Sequence, residues 1–236
     1  HISTQCDNYL PSKVKFFNDI GVSRVILARE LSLEQIKKIH EENPELELEA
    51  FIHGALCVSY SGQCYLSQYI GGRSANRGEC AQPCRRKYSV ITNEGKLLAE
   101  NYALCLKDMN ASGEINEMIG AGICSFKIEG RLKDANYVKN IVSFYRNLLP
   151  DSTSFGKSFR EFAPDPEKSF NRGFTTYFLK GRTDCFNSES PKSRGKFIGK
   201  VITVKKDCFK LDSCNTISIK PQDGLYFEGD GCLVNK

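Results

Sequence analysis

Apolar residues at Leu10, Val14, Phe17 and Ile20 recur at helical spacing and stop at Gly21, which predicts a helix over residues 8–20. The next apolar positions are continuous. SRVILARE, residues 23–30, has the length of a buried parallel strand. Ser32 with Gln35 three residues on makes a capping box, and Leu33, Ile36 and Ile39 give a second helix its buried stripe. ELELEAFIHGAL, residues 45–56, returns to a strand. Strand and helix in alternation predict an α/β domain with a parallel sheet.

Further along, KYSVITNEGK predicts a hairpin turning at Asn93-Glu94-Gly95, LCLKDM is a short strand-like run, and residues 115–120 make a short helix. CSFKIEG is a strand. A helix over 133–149 follows, with Tyr137, Ile141, Phe144 and Leu148 expected on its buried face. Residues 1–149 thus hold about four strand and helix units, part of what an eight-unit barrel of about 250 residues contains. Residues 150–169, with three prolines and no periodicity, read as a linker. Beyond them FTTYFL, GKFIGKVITVKK, CFKLD, TISIK and GLYFEGDGCLV are short strands between turns, so residues 170–236 are expected to form a small antiparallel β-domain. Its RGKFIGKVITVKK run either faces an anionic polymer or is an edge strand guarded by lysines.

Residues 54–88 break these patterns. They carry Cys57, Cys64, Cys80 and Cys84, together with Gly54, Gly62, Gly71, Gly72 and Gly78, which suits a loop wrapped around a bound centre. Three readings compete. Disulfide frameworks belong to short secreted chains, and 236 residues at 40% apolar content build a core without one. Structural zinc favours two close cysteine pairs, and here only Cys80 and Cys84 are close. Irregular spacing and all-sulfur donors suit an iron–sulfur cluster, with zinc as the alternative. A formal charge of +5, the absence of a membrane-length apolar run and the lack of a leader at its start place the chain in a reducing cytoplasm.

The run HGALCVSYSGQCYLSQYIGGRSANRGECAQPCR, with SFKIEGRLKDANYV, FNRGFTTYFLKG and RGKFIGKV, resembles peptidase family U32, the collagenase-like proteins. That family includes hydroxylases of transfer RNA, ribosomal RNA and a ubiquinone precursor. The resemblance implies a 4Fe-4S cluster on Cys57, Cys64, Cys80 and Cys84, with Cys105 or Cys124 as downstream candidates for the fourth ligand, and prephenate as the source of oxygen. It also implies a TIM-type barrel, here partial, with its N-terminal units missing and its open edges needing a homo- or hetero-oligomeric partner.

In such barrels working residues follow the strand ends, and His53, Lys107, Asp108, Lys127, Glu129 and Arg131 all follow strand-like runs. His53 is a candidate proton donor or support for the cysteine centre, the alternative being a structural, hydrogen-bonded histidine. Lys127, Glu129 and Arg131 alternate along one strand and are expected on one face, as scaffold or as catalytic residues binding a small carboxylic acid such as prephenate. From Arg73 to Lys87, the basic residues Arg73, Arg77, Arg85, Arg86 and Lys87 face Glu79 alone, a rim for RNA phosphates or a counter-charge for a thiolate centre. The expected function is an iron–sulfur RNA hydroxylase acting on a tRNA base. A collagenase-type peptidase is the alternative, although no G-x-S-x-G or H-E-x-x-H motif is present and the only histidines are His1, His40 and His53. A binding module held together by its cluster is a third, non-enzymatic reading.

Overall fold

The computed structural model describes residues 1–149, 162–206, 208–213, 219–221, 223–227 and 230–234. Residues 150–161 of the expected linker and most of the TISIK strand lie outside them. The chain runs through α1 (Pro11–Asp19), β1 (Arg24–Ile26), α2 (Leu33–Glu42), β2 (Glu47–Ala55), α3 (Leu66–Gly71), β3 (Tyr88–Ile91), β4 (Leu97–Asn101), β5 (Asp108–Asn110), α4 (Ile115–Gly120), β6 (Ile123–Ile128) and α5 (Ala135–Leu148). It continues with β7 (Phe174–Thr175), β8 (Gly199–Val204), β9 (Phe209–Ser213), β10 (Gly224–Phe227) and β11 (Asp230–Leu233).

Local signals act where the patterning places them. Ser32 Oγ accepts from the Gln35 amide at 3.3 Å while the Ser32 amide donates to Gln35 Oε1 at 2.9 Å, closing the capping box of α2. The β3–β4 hairpin turns at Gly95, whose amide donates to the Thr92 carbonyl at 3.0 Å. Asp134 Oδ1 accepts the Tyr137 amide at 2.7 Å and starts α5. The buried stripe of α5 departs from expectation: it is Tyr137, Ile141 and Tyr145, whereas Leu148 is 39% exposed. Tyr145 turns inward because its hydroxyl finds strand partners there, the Ile52 carbonyl at 2.9 Å and Asn110 Oδ1 at 3.1 Å.

β2 is the spine of the molecule. Leu48, Ala50, Phe51, Ile52 and His53 are all buried along it. β1 and β6 pair with it in parallel, as the patterning predicts, and β7 runs parallel to β5. β5 adds an antiparallel member to this sheet, lying against the end of β2 and matching Ala55 with Asp108 and His53 with Asn110. The chain reaches β5 through the cysteine loop and the β3–β4 hairpin rather than a helical crossover, and antiparallel neighbours need none. Among the described residues the five-stranded sheet does not close into a barrel. Tyr177, Leu179 and Cys185 share the core with Leu27, Ile39, Ile52, Met109 and Met118. The β8–β9 and β10–β11 pairs are separate two-stranded antiparallel sheets. Among the described residues no helix is long and apolar enough to cross a membrane.

Candidate functional site

The site forms where β2 and β6 leave the sheet. The Glu129 amide donates to the His53 carbonyl at 2.8 Å, and at the next residue Gly54 takes φ 102°, where a β-carbon would sit 2.4 Å from the Glu129 carbonyl oxygen. Only glycine lets the two strand exits touch, and the cysteine loop begins there.

Two polar staples shape that loop, and neither is apparent from its motifs. Glu30 Oε1 accepts the Ser61 amide at 2.6 Å and Glu30 Oε2 accepts the Ser61 hydroxyl at 2.9 Å, both groups being buried. At the far end, Arg85 donates to the Leu106 carbonyl at 2.6 Å, the Leu56 carbonyl at 2.9 Å and Cys105 Sγ at 3.0 Å. Of the five basic residues of the expected rim, Arg85 therefore spends its guanidinium on the fold. Arg73, Arg77, Arg86 and Lys87 are exposed, with Arg73 Nε donating to the Glu79 carbonyl at 3.0 Å.

Of the four loop cysteines, Cys84 sits in a 3-10 turn at Pro83–Arg85 and is half-buried, as are Cys64 and Cys80, while Cys57 is exposed. Burial pushes the Cys84 thiol up to about 11, Arg85 opposes that, and the charges of Cys57, Cys80 and Cys64 add to it. Cys57, Cys64 and Cys80 thus lie within electrostatic reach of Cys84, and each of the four is free. Among the described residues no three His, Cys, Asp or Glu side chains stand in a ready metal-binding group. The donor set, four thiols on a glycine-rich loop, fits a soft, thiolate-bound centre, since a cation would reverse the electrostatics that keep Cys84 protonated. Of the downstream cysteines, Cys105 is fully buried with its Sγ 3.0 Å from the guanidinium of Arg85, the neighbour of Cys84, and Cys124 lies against the Leu48 carbonyl near the opposite end of β2.

His53 is 1% exposed among the rings of Tyr137, Tyr145 and Phe174, with its Nδ1 3.2 Å from the Tyr145 hydroxyl. Burial pushes its pKa down to about 4, so the ring is neutral at pH 7. Because the Tyr145 hydroxyl donates to the Ile52 carbonyl, its oxygen is left to accept, which assigns the Nδ1–H tautomer to His53 and leaves Nε2 as the acceptor.

Lys127, Glu129 and Arg131 do not share one strand face. β6 ends at Ile128, and the chain turns through Gly130 toward the Asp134 cap of α5. Lys127 Nζ lies 5.1 Å over the Phe51 ring, Glu129 Oε1 accepts the Arg131 amide at 2.7 Å, and Arg131 Nη2 reaches the Gly78 carbonyl of the cysteine loop at 3.1 Å. Beside them stands a buried ion pair that spacing does not reveal. Arg172 donates to Asp108 Oδ1 from Nη1 at 2.8 Å and to Asp108 Oδ2 from its amide at 2.9 Å, joining β7 to β5. Lys107 pairs with Asp184 at 2.9 Å.

The chain is 44% identical over 236 residues to the 23S rRNA 5-hydroxycytidine C2501 synthase of Escherichia coli (strain K12), covering 95% of this chain and 36% of that protein. It is 35% identical over 243 residues to tRNA hydroxylation protein P1 of Bacillus subtilis (strain 168), covering 97% of this chain and 57% of that one. It is also 35% identical over 202 residues to a collagenase of Porphyromonas gingivalis (strain ATCC BAA-308 / W83), at 77% and 48% coverage. The chain therefore spans between about a third and three fifths of these relatives. No solved structure matches the chain. Residues 1–188, which hold the strand exits, the four loop cysteines and the Asp108–Arg172 pair, match the family described as Peptidase family U32, and the chain belongs to that family.

Proposed function

We propose that this chain is the cysteine-bearing part of an RNA hydroxylase that modifies a base, in transfer RNA first and in ribosomal RNA as the competing substrate. The observation that carries this reading is a loop stapled to the strand exits that bears four free thiols, Cys57, Cys64, Cys80 and Cys84, in a chain whose relatives include named rRNA and tRNA hydroxylation proteins. Cys57, Cys64, Cys80 and Cys84 would hold a 4Fe-4S cluster. When bound, such a cluster supplies one-electron chemistry to a substrate brought beside it.

The chain's own residues have distinct tasks in this reading. Arg73, Arg77, Arg86 and Lys87 offer phosphate contacts that position RNA without reading its sequence. Neutral His53 offers an acceptor rather than a proton at pH 7. Arg131, reaching Gly78, ties the loop to the exit of β6 and in this reading also pairs with the carboxylate of a small acid such as prephenate. The parallel pairs around β2 support a partial TIM-type barrel that extends past residues 1–149 to take in β7 and the core residues Tyr177, Leu179 and Cys185, with the β8–β9 and β10–β11 pairs as an appended unit. The ten described cysteines are all free, which suits a reducing cytoplasm.

A peptidase reading draws on the collagenase relative. It requires a nucleophile beside a base, whereas the group nearest His53 Nδ1 is the Tyr145 hydroxyl. Mass spectrometry of nucleosides from transfer and ribosomal RNA of a strain lacking this gene separates the readings. Loss of one hydroxylated nucleoside is expected. An unchanged nucleoside pool with lost gelatin degradation would establish the peptidase instead.

A further inference from the structure

We propose that the hollow between the first turns of α5 and residues 162–170 is an oxyanion-binding site in which the Lys133 ammonium receives a carboxylate or phosphate group. The hollow has a volume of about 630 Å³, the size of a small-ligand site, and its walls include Lys133, Lys139, Lys168, Tyr137, Phe162 and Phe170.

Its cations are supported without being neutralised. Lys133 Nζ lies 3.0 Å over the Phe170 ring centre and 5.9 Å over Tyr137, and Lys139 Nζ lies 4.9 Å over Phe162. An aromatic face steadies an ammonium through its quadrupole but carries no net charge, so the charge and its N–H donors remain for an anion. Among the described residues none of the three lysines makes an ion pair. The carboxylates nearby are already committed. Asp108 holds Arg172, Asp134 caps α5 at the Tyr137 amide, and Asp165 holds Lys196 at 2.7 Å.

Lys133 is under electrostatic pressure as well. Burial lowers its pKa first and the guanidiniums of Arg172 and Arg85 lower it further, against a smaller opposing pull from Asp108 and Asp134, so the net shift is downward. A bound anion relieves both, because it pairs with the ammonium in a partly desolvated setting and offsets the two arginines. Two cations, Lys133 and Arg172, lie over Phe170 and one, Lys139, over Phe162, which disfavours a stacked base and favours a charged group as occupant.

Two sources supply this chemistry, a free small acid or phosphate and the phosphodiester of an RNA strand. Competitive lysine acetylation of the full chain, read by mass spectrometry, distinguishes them with succinate, inorganic phosphate and a single-stranded oligoribonucleotide as probes at matched ionic strength. At least threefold slower acetylation of Lys133 is expected with at least one probe, with no change at Lys37 on α2. Protection by succinate or phosphate assigns the site to free small anions, and protection by the oligoribonucleotide alone assigns it to RNA phosphate. No protection by any probe, or equal protection of Lys37, overturns the proposal. As a second readout, the protecting probe should raise the unfolding midpoint of the native chain and leave that of Lys133→Gln unchanged; an equal rise in both also overturns it. Nothing in this chemistry requires a cluster on the cysteine loop, so Lys133 protection without RNA hydroxylation, or the reverse, tells the two readings apart.

Discussion

Gly54 and Glu129 meet backbone to backbone at the exits of β2 and β6, so closely that a β-carbon on Gly54 would lie 2.4 Å from the Glu129 carbonyl oxygen. With φ at 102° as well, Gly54→Ala combines backbone strain with a clash that no side-chain movement relieves. A loss of about 3 kcal/mol or more in urea unfolding is expected. Gly95→Ala, at φ 84° with open space around it, should lose only about 1 kcal/mol. Equal losses would show that the strand exits can part without cost.

His53 makes stability depend on acid. Its pKa falls from 6.5 to about 4 on folding, so the unfolded chain binds the proton more readily. The stabilisation is complete above pH 6.5, declines as pH drops toward 4 and then levels off, a change on the order of 3 kcal/mol. Urea midpoints measured between pH 4 and 7 should slope accordingly in the native chain. His53→Gln should remove that part of the slope.

Asp108 and Arg172 form a buried pair, with side chains only 3% and 9% exposed. Arg172→Met strands a buried carboxylate and should cost about 3–5 kcal/mol. Combining it with Asp108→Asn should cost clearly less than the two single losses added. Strict additivity in a double-mutant cycle would show that the two charges are not coupled.

The cysteines divide by position. After anaerobic preparation the chain should carry about four irons and the visible absorbance of an iron–sulfur cluster. Cys57→Ser, Cys64→Ser, Cys80→Ser or Cys84→Ser should each sharply reduce the iron, whereas Cys124→Ser and Cys208→Ser should leave it unchanged. A colourless protein with one zinc would replace the cluster with a structural metal.

Within the basic rim the effects should differ in kind. Arg86→Ala and Lys87→Ala should weaken RNA binding similarly for all sequences and flatten its salt dependence by about one unit each. Arg85→Ala removes anchors to Leu56, Leu106 and Cys105, so it should lower the unfolding midpoint before any RNA is added.

Much of this was legible along the chain. Periodicity located α1, α2, α4 and α5 within a few residues, the Ser32–Gln35 spacing announced its cap, Asn93-Glu94-Gly95 its turn, and the spacing of four cysteines with interleaved glycines marked residues 54–88. These features are local: a helix stripe, a cap or a turn depends on neighbours a few residues away. Tertiary structure alone decided that Tyr145 rather than Leu148 faces inward, that β5 runs against β2, that Glu30 holds Ser61, and that Arg172 rather than Lys127 or Arg131 forms the buried ion pair. Each depends on a partner between 31 and 93 residues away, and no spacing pattern encodes which distant polar group will satisfy a buried one.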